Sequence, residues 1–353
     1  MATDVEWRQG AQHVRRQAAA CAEMGSPLYA GLLTRVADDL LASGPAADVL
    51  AGHERDDGPS ALALRLMGGV HRLVLERAAP ELATFYPSVG GTADPERAWP
   101  AFRNVLSSHR DQLAAGLGQP PQTNEVGRAA ALLGGLLHVV AGRPPPIRLY
   151  EMGASAGLNL RPDHLRVTFP AGSVGPPDAP VVLADGWSGA IPPSAGALQI
   201  VDRAGCDVWP VDPTTTDGRL LLTSYVWADQ LPRLERLRGA LELAARVPAA
   251  VHKQTAADFL RELRLAPGTT TVLWHSVMWQ YLPDEEKRAV RARLEELGRE
   301  ATAEAGFAHL RMEPETRADL DGHAFYVVLR SWPGGEERVL GTAAPHGLPT
   351  HWR

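Results

Sequence analysis

The feature that most constrains this chain is a change of character at Ile147. Before it, no convincing strand can be drawn; after it, short apolar runs alternate with amphipathic helical stretches. Such alternation calls for a mostly parallel sheet flanked by helices, because parallel neighbours need a crossover connection. The 353 residues are enough for one large domain and a smaller one. The expected division is a helical domain over 1–125 and an α/β domain over 126–353.

In the first part, the clearest helix begins at Asp94-Pro95, an N-cap residue followed by proline at the first helical position. It carries Trp99, Phe102, Leu106 and Leu113 on one face. Earlier helices are expected over Val14–Ala22, Leu28–Leu41 and Leu62–Arg77, broken by clusters such as GHERDDGPS. AALLGGLLHVV forms a further apolar helix, which GRPPP ends.

In the second part, IRLYEMG reads as a buried strand entering a glycine turn, and ASAGLNL as the start of a helix. A Pro/Gly-rich insertion spans about 161–199, in which LRVTF and PVVLADGW are expected to pair as an antiparallel hairpin. There follow a strand in LQIVDRAGCDVW, one long helix from about Asp217 to Ala245, and a strand plus loop in AAVHKQTAADFL. TTTVLWHSVMWQYL supplies another strand. PDEEKRAVRARLEELGREA is a helix with an acidic first turn, Val290, Leu294 and Leu297 facing inward. FAHLRME, AFYVVLRSW and ERVLGTA complete the strands.

Composition narrows the function classes. Hydrophobic residues at 45% and charged residues at 22% are those of a globular protein. A net charge of −6 without a basic block gives no footprint for a nucleic-acid backbone. No apolar run reaches the roughly 18 residues of a membrane span, and the N-terminus lacks a signal-peptide pattern, so the expectation is a cytoplasmic protein. Cys21 and Cys206 show no paired spacing, and no H-E-x-x-H pattern occurs, so no metal is expected.

The strongest chemical signal is LYEMGASAGLN. Gly153 and Gly157 at a strand exit permit a tight turn and close approach of a ligand to the backbone, at the position where open α/β sheets bind ligands. EMGASAG resembles motif I of the class I methyltransferases that use S-adenosylmethionine (SAM). GCDVWP resembles the second-strand end of that family, and HSVMWQYLPDEEKRAVRARLEEL its fourth-strand exit and following helix. The resemblance covers about 145–353 and implies a doubly wound, mostly parallel, seven-stranded Rossmann-like sheet. Through FYPSVGG, QTNEVGR and EMGASAGLN, the whole chain is also similar to a bacterial family described only as a domain of unknown function.

The methyltransferase resemblance implies that Glu151 steadies the methionine ammonium group over a floor of Gly153, Ser155 and Gly157. It gives Asp207 the ribose hydroxyls, with Asp202 and Asp212 as competitors, and sets Thr255, Ala256 and Asp258 against adenine. His275, Ser276, Trp279 and Tyr281 then face the transferred methyl. His275 is the candidate base, and Tyr281 and Glu125 further catalytic candidates. Tyr86, Gln122, Asn124 and Arg128 are candidates for closing the pocket over a small-molecule substrate, although Thr123 or Asn124 and Glu125 also suit a helix cap.

Two rival chemistries remain. GASAG also matches the G-x-S-x-G nucleophile elbow, with Ser155 as nucleophile and His323 or His346 following, but no sheet or oxyanion loop precedes it. The same scaffold also supports other uses of SAM: transfer of another group, cleavage, cyclisation or binding alone. Acceptor and oligomeric state are not legible in the sequence.

Overall fold

The computed structural model describes residues 4–54, 56, 60–142, 146–193, 198–320 and 322–353. Parts of the GHERDDGPS and GRPPP breaks and of the insertion lie outside these. The chain divides into two compact units, Met1–Thr123 with Thr215–Glu235, and Asn124–Thr214 with Arg236–Arg353. The helical unit thus includes a later segment that a single cut at 125 assigns to the other part.

The helical unit contains α1 (Asp4–Glu23), α2 (Pro27–Leu41), α3 (Pro45–Leu50), α4 (Leu62–Leu75), α5 (Pro80–Ala83), α6 (Pro95–Ser108) and α7 (Arg110–Gly116). Leu32 and Val36 of α2, Leu66 and Val70 of α4, and Phe102 and Leu106 of α6 meet in one core. Asp94 caps α6 as its sequence requires, accepting the Arg97 N–H at 3.0 Å. The α/β unit opens with α8 (Ala129–Gly142).

The long helix expected over Asp217–Ala245 is two helices, α9 (Thr216–Ser224) and α10 (Leu231–Arg246). The break has two causes. Pro232 suits only a first turn, and Asp229 turns back to accept Ser26 Oγ at 2.5 Å and Leu28 N at 2.9 Å at the start of α2. AAVHKQTAADFL, expected as a strand plus loop, enters a helix after its strand, α11 (Ala256–Glu262), and the last helix is α12 (Asp284–Glu300), with Val290, Leu294 and Leu297 buried.

The strands are β1 (Ile147–Met152), β2 (Leu165–Phe169), β3 (Gly172–Val174), β4 (Val181–Leu183), β5 (Trp187–Gly189) and β6 (Ile200–Asp207). After them come β7 (Ala250–Lys253), β8 (Thr269–Ser276), β9 (Ala305–Arg317), β10 (Gly322–Trp332), β11 (Glu336–Ala343) and β12 (Thr350–Trp352). The main sheet has nine strands in the order β5-β12-β11-β10-β9-β8-β1-β6-β7, not the seven expected. The run β7-β6-β1-β8-β9 is parallel, whereas β10, β11 and β12 follow as an antiparallel meander. The extra edge comes from the insertion. β5 pairs in parallel with β12, and Trp187 anchors it by donating Nε1–H to Ala130 O at 3.0 Å and packing edge-on against Trp352.

β2 takes β3 as its hairpin partner and β4 as a parallel neighbour, forming a separate three-stranded sheet. The expected LRVTF–PVVLADGW hairpin is therefore corrected: the tight turn after Phe169 gives the antiparallel edge of β2 to Gly172–Val174 first. ASAGLNL is not a helix start either. It forms a turn and a single 3₁₀ turn over Leu158–Leu160, and no α-helix connects β1 to β6 among the described residues.

On one face of the main sheet, α8 packs very close. A Cβ at Gly134 would stand 2.0 Å from Trp352, and one at Gly135 2.4 Å from Leu310. On the other face, Phe259 and Leu260 of α11 and Val290, Leu294 and Leu297 of α12 cover Tyr150, Met152, Leu273, Phe307 and Trp332. Strand alternation therefore sends Glu151 to one face and its neighbours Tyr150 and Met152 to the other.

Candidate functional site

The loop leaving β1 has left-handed backbone at every second residue: Gly153 (φ 66), Ser155 (φ 52) and Gly157 (φ 66). Glycine takes this conformation without strain, serine does not. A Cβ at Gly153 would meet Met278 Cβ at 2.9 Å and one at Gly157 Val251 Cγ2 at 2.7 Å, so both glycines are also held by close neighbours. The alternation turns successive N–H groups to acceptors. Asp207 Oδ2 accepts from Ser155 N at 2.8 Å, and Asn124 Oδ1 accepts from Ala156 N at 3.2 Å and Leu158 N at 2.9 Å. The second oxygen of Asp207 accepts from Trp209 N at 2.8 Å.

Beneath this loop, Glu151 is 2% exposed, beside Trp274 in the register of β1 and β8. Burial pushes its carboxyl up to about 8 against the lowering pull of the Asn159 and Trp274 side chains. Glu151 Oε2, Asn159 Oδ1 and Trp274 Nε1 are all buried without an aligned hydrogen-bond partner.

The competing aspartates are engaged elsewhere. Asp202 lies near the start of β6, ion-paired with Arg148 at 3.1 Å and receiving the Tyr150 hydroxyl. Asp212 closes a turn, accepting from Thr214 N at 2.8 Å. The loop expected against adenine is the start of α11. Thr255 Oγ1 accepts from Asp258 N at 3.1 Å and donates to Asp258 Oδ2 at 2.9 Å, while Ala256 N–H goes to Glu286 Oε1 at 2.8 Å. Thr255 is thus the N-cap of α11, with Asp258 in its first turn.

At the exit of β8, His275 points to the α12 face, opposite to Trp274. Its Nδ1 lies 2.7 Å from Glu313 Oε1 and its Nε2 3.0 Å from His309 Nε2. Glu313 Oε1 also accepts from Met278 N at 3.1 Å and, at 3.4 Å, from Trp279 N. Trp279 stacks on the His275 ring at 5.6 Å. These groups border a cleft of about 520 Å³ between α12 and the β9–β11 face, lined also by Gln280, Arg291, Arg311, Arg330 and Trp332. Ser276 is buried at the same strand end, while Tyr281 is 53% exposed and does not line this cleft.

His309 and Glu313 were missed by the sequence reading, yet a signal existed. In FAHLRME the odd positions Phe307, His309, Arg311 and Glu313 alternate with Ala308, Leu310 and Met312, so one face of an otherwise apolar strand is polar. What brings His275 to them is the register between β8 and β9, with Leu273 opposite His309 and His275 opposite Arg311.

Among the residues expected to close the pocket, Asn124 holds the glycine loop as described. Glu125 is 5% exposed and caps the short turn that follows it, accepting from Gly127 N at 3.0 Å, with the Arg236 guanidinium 3.8 Å away. Arg128 Nε donates to Pro345 O at 3.3 Å. Gln122 and Tyr86 belong to the helical unit, where Tyr86 is fully buried against the His71 ring at 5.5 Å.

Among the described residues, no group of three or more His, Cys, Asp or Glu is placed to hold a metal ion, and no helix is long and apolar enough to cross a membrane. No curated protein matches the sequence. Residues 11–352 match the model of a family described as an uncharacterized protein conserved in bacteria. A match over nearly the whole chain assigns the protein to this family, DUF2332.

Proposed function

We propose that the α/β unit is a SAM-dependent transferase, most simply a methyltransferase acting on a small molecule in the cytoplasm. The observation that carries this reading is the rim formed by two strand exits. Asp207 at the end of β6 grips Ser155 in the glycine loop of β1, next to the point between β1 and β8 where the strand order reverses. A carboxylate beside a glycine loop suits a ribose and its attached cationic amino acid. The reading takes the five parallel strands as a methyltransferase-type core and β10–β12 with β5 as its extension. SAM carries its own leaving group, so the protein's part is to hold the acceptor in line, exclude water and, for a protonated acceptor, remove a proton.

The test is a thermal-shift and calorimetry panel with SAM, S-adenosylhomocysteine and NAD. A ligand at about 100 times its Kd adds about 2.7 kcal/mol to the folded state. SAM or its product is expected to raise the melting temperature, and Asp207→Ala to abolish the effect. Stabilisation by NAD alone, or by none of the three, overturns the reading.

A second reading has one observation in its favour: the left-handed Ser155 has the backbone of a nucleophile elbow. An elbow, however, feeds straight into a helix, and here the chain continues into a 3₁₀ turn.

A further inference from the structure

The loop leaving β1 has the backbone of an anion-binding nest, yet its N–H groups from Ala154 to Leu158 all go to oxygens of the chain itself. Ala154 N donates to Cys206 O at 2.9 Å, and Gly157 N to Ala154 O at 2.7 Å. Ser155 N donates to Asp207 Oδ2 at 2.8 Å. Ala156 N and Leu158 N converge on one atom, Asn124 Oδ1, at 3.2 and 2.9 Å. Left-handed residues at 153, 155 and 157 turn successive N–H groups into one concavity, the arrangement that elsewhere cradles phosphate. Here protein oxygens stand where phosphate oxygens stand in such loops.

The two side chains that fill the concavity differ in kind. Asn124 is neutral, and two converging N–H donors require its carbonyl oxygen, so they fix which way its amide points. Its side chain is only half-buried, so the space it fills borders solvent. Asp207 is held on its other oxygen by Trp209 N at 2.8 Å and puts a carboxylate one residue away from the Asn124 contacts. A phosphate approaching this loop finds its donors spent and a like charge beside them.

We propose that Asn124 is a specificity-determining residue, whose side-chain oxygen closes the glycine loop against phosphate. With Asp207 beside it, the loop accepts ligands that present a cationic or neutral group and turns away nucleoside phosphates and dinucleotides, which would place a phosphate there. This deepens the transferase reading and rests on it for the loop's natural ligand. The closure itself is a property of the chain and is tested with inorganic phosphate alone.

The test uses the whole chain as wild type, Asn124→Ala, Asn124→Asp, and Asn124→Ala combined with Asp207→Asn. Melting temperature and hydrogen exchange at the Ala156 and Leu158 amides are measured in sodium phosphate and in sodium chloride of equal ionic strength. Wild type and Asn124→Asp are expected to respond alike to the two salts. Asn124→Ala, with two bare donors, should melt higher in phosphate than in chloride, and its exchange at both amides should slow again. Removing the neighbouring carboxylate as well should tighten phosphate binding by about tenfold or more, because a like charge is gone. A side chain that merely staples the loop predicts no such rescue. If Asn124→Ala does not fold, Asn124→Ser, whose hydroxyl is too short to fill the space, takes its place.

Phosphate-specific stabilisation of wild type, or folded Asn124→Ala or Asn124→Ser whose two amides ignore phosphate, overturns the proposal. SAM affinity of wild type is measured alongside. Rescue by phosphate in a protein that does not bind SAM supports the closure and overturns only the cofactor reading.

Discussion

Asp207 Oδ2 and the backbone N–H of Ser155 are 2.8 Å apart, so one carboxylate ties the exit of β6 to the loop leaving β1. The other oxygen is held by Trp209 N at 2.8 Å, which fixes the plane of the group. Asp207 therefore shapes the loop whether or not it also meets a ligand.

Asp207→Ala should cost about 1–3 kcal/mol of stability, because a charged acceptor of two backbone donors is lost. Asp207→Asn keeps one acceptor oxygen and should cost less. Urea unfolding of the three proteins checks this. Equal midpoints for all three would show that the loop does not depend on the carboxylate.

Glu151 gives the chain a pH dependence of definite sign. Its carboxyl titrates near 8 in the folded protein, against an ordinary 4.5, so the native state keeps a proton that the unfolded state has lost between these values. Stability from this group is fully present below about 4.5 and falls as pH rises towards 8, at up to about 1.4 kcal/mol per pH unit. Glu151→Gln should remove that component of the slope. Unfolding midpoints at pH 5, 6.5 and 8 for both proteins decide it, and parallel slopes would contradict the assignment.

Asn124→Ala leaves the N–H groups of Ala156 and Leu158 without their shared acceptor. The expected cost is about 1–3 kcal/mol per donor that stays dry, and hydrogen exchange at these two amides should accelerate. Unchanged protection would mean that water or another group replaces the side chain.

Ser155 distinguishes the two enzymatic readings. Ser155→Gly relieves a left-handed residue and should leave stability unchanged or slightly raised, whereas Ser155→Val should lower it. A fluorophosphonate probe should leave the wild type unlabelled. Stoichiometric labelling at Ser155 would establish a hydrolase and displace the transferase.

The parallel strands and α12 were legible because their signals are local: apolar runs, an acidic first turn and glycines at a strand exit. Thr255 and Asp258 lie at the start of α11, where a helix cap and a binding loop use the same polar residues, so sequence pattern does not separate the two roles. The break between α9 and α10 depends on Asp229 reaching Ser26, about two hundred positions away, and no local pattern reports such a contact. The His275–His309–Glu313 chain was half visible, as an odd polar face on FAHLRME. Its assembly needed the register of β8 against β9, which side-chain alternation alone does not fix.

The pairing of β5 with β12 also sets a timetable for biosynthesis. Trp187 packs against Trp352 and its strand has no other partner in the main sheet. At a ribosome speed of about 5–20 residues per second, the intervening chain takes on the order of ten to thirty seconds to make. Until then β5 has no partner strand in the main sheet, and the nascent protein carries an unfinished sheet edge that a chaperone, or a neighbouring nascent chain, can recognise first.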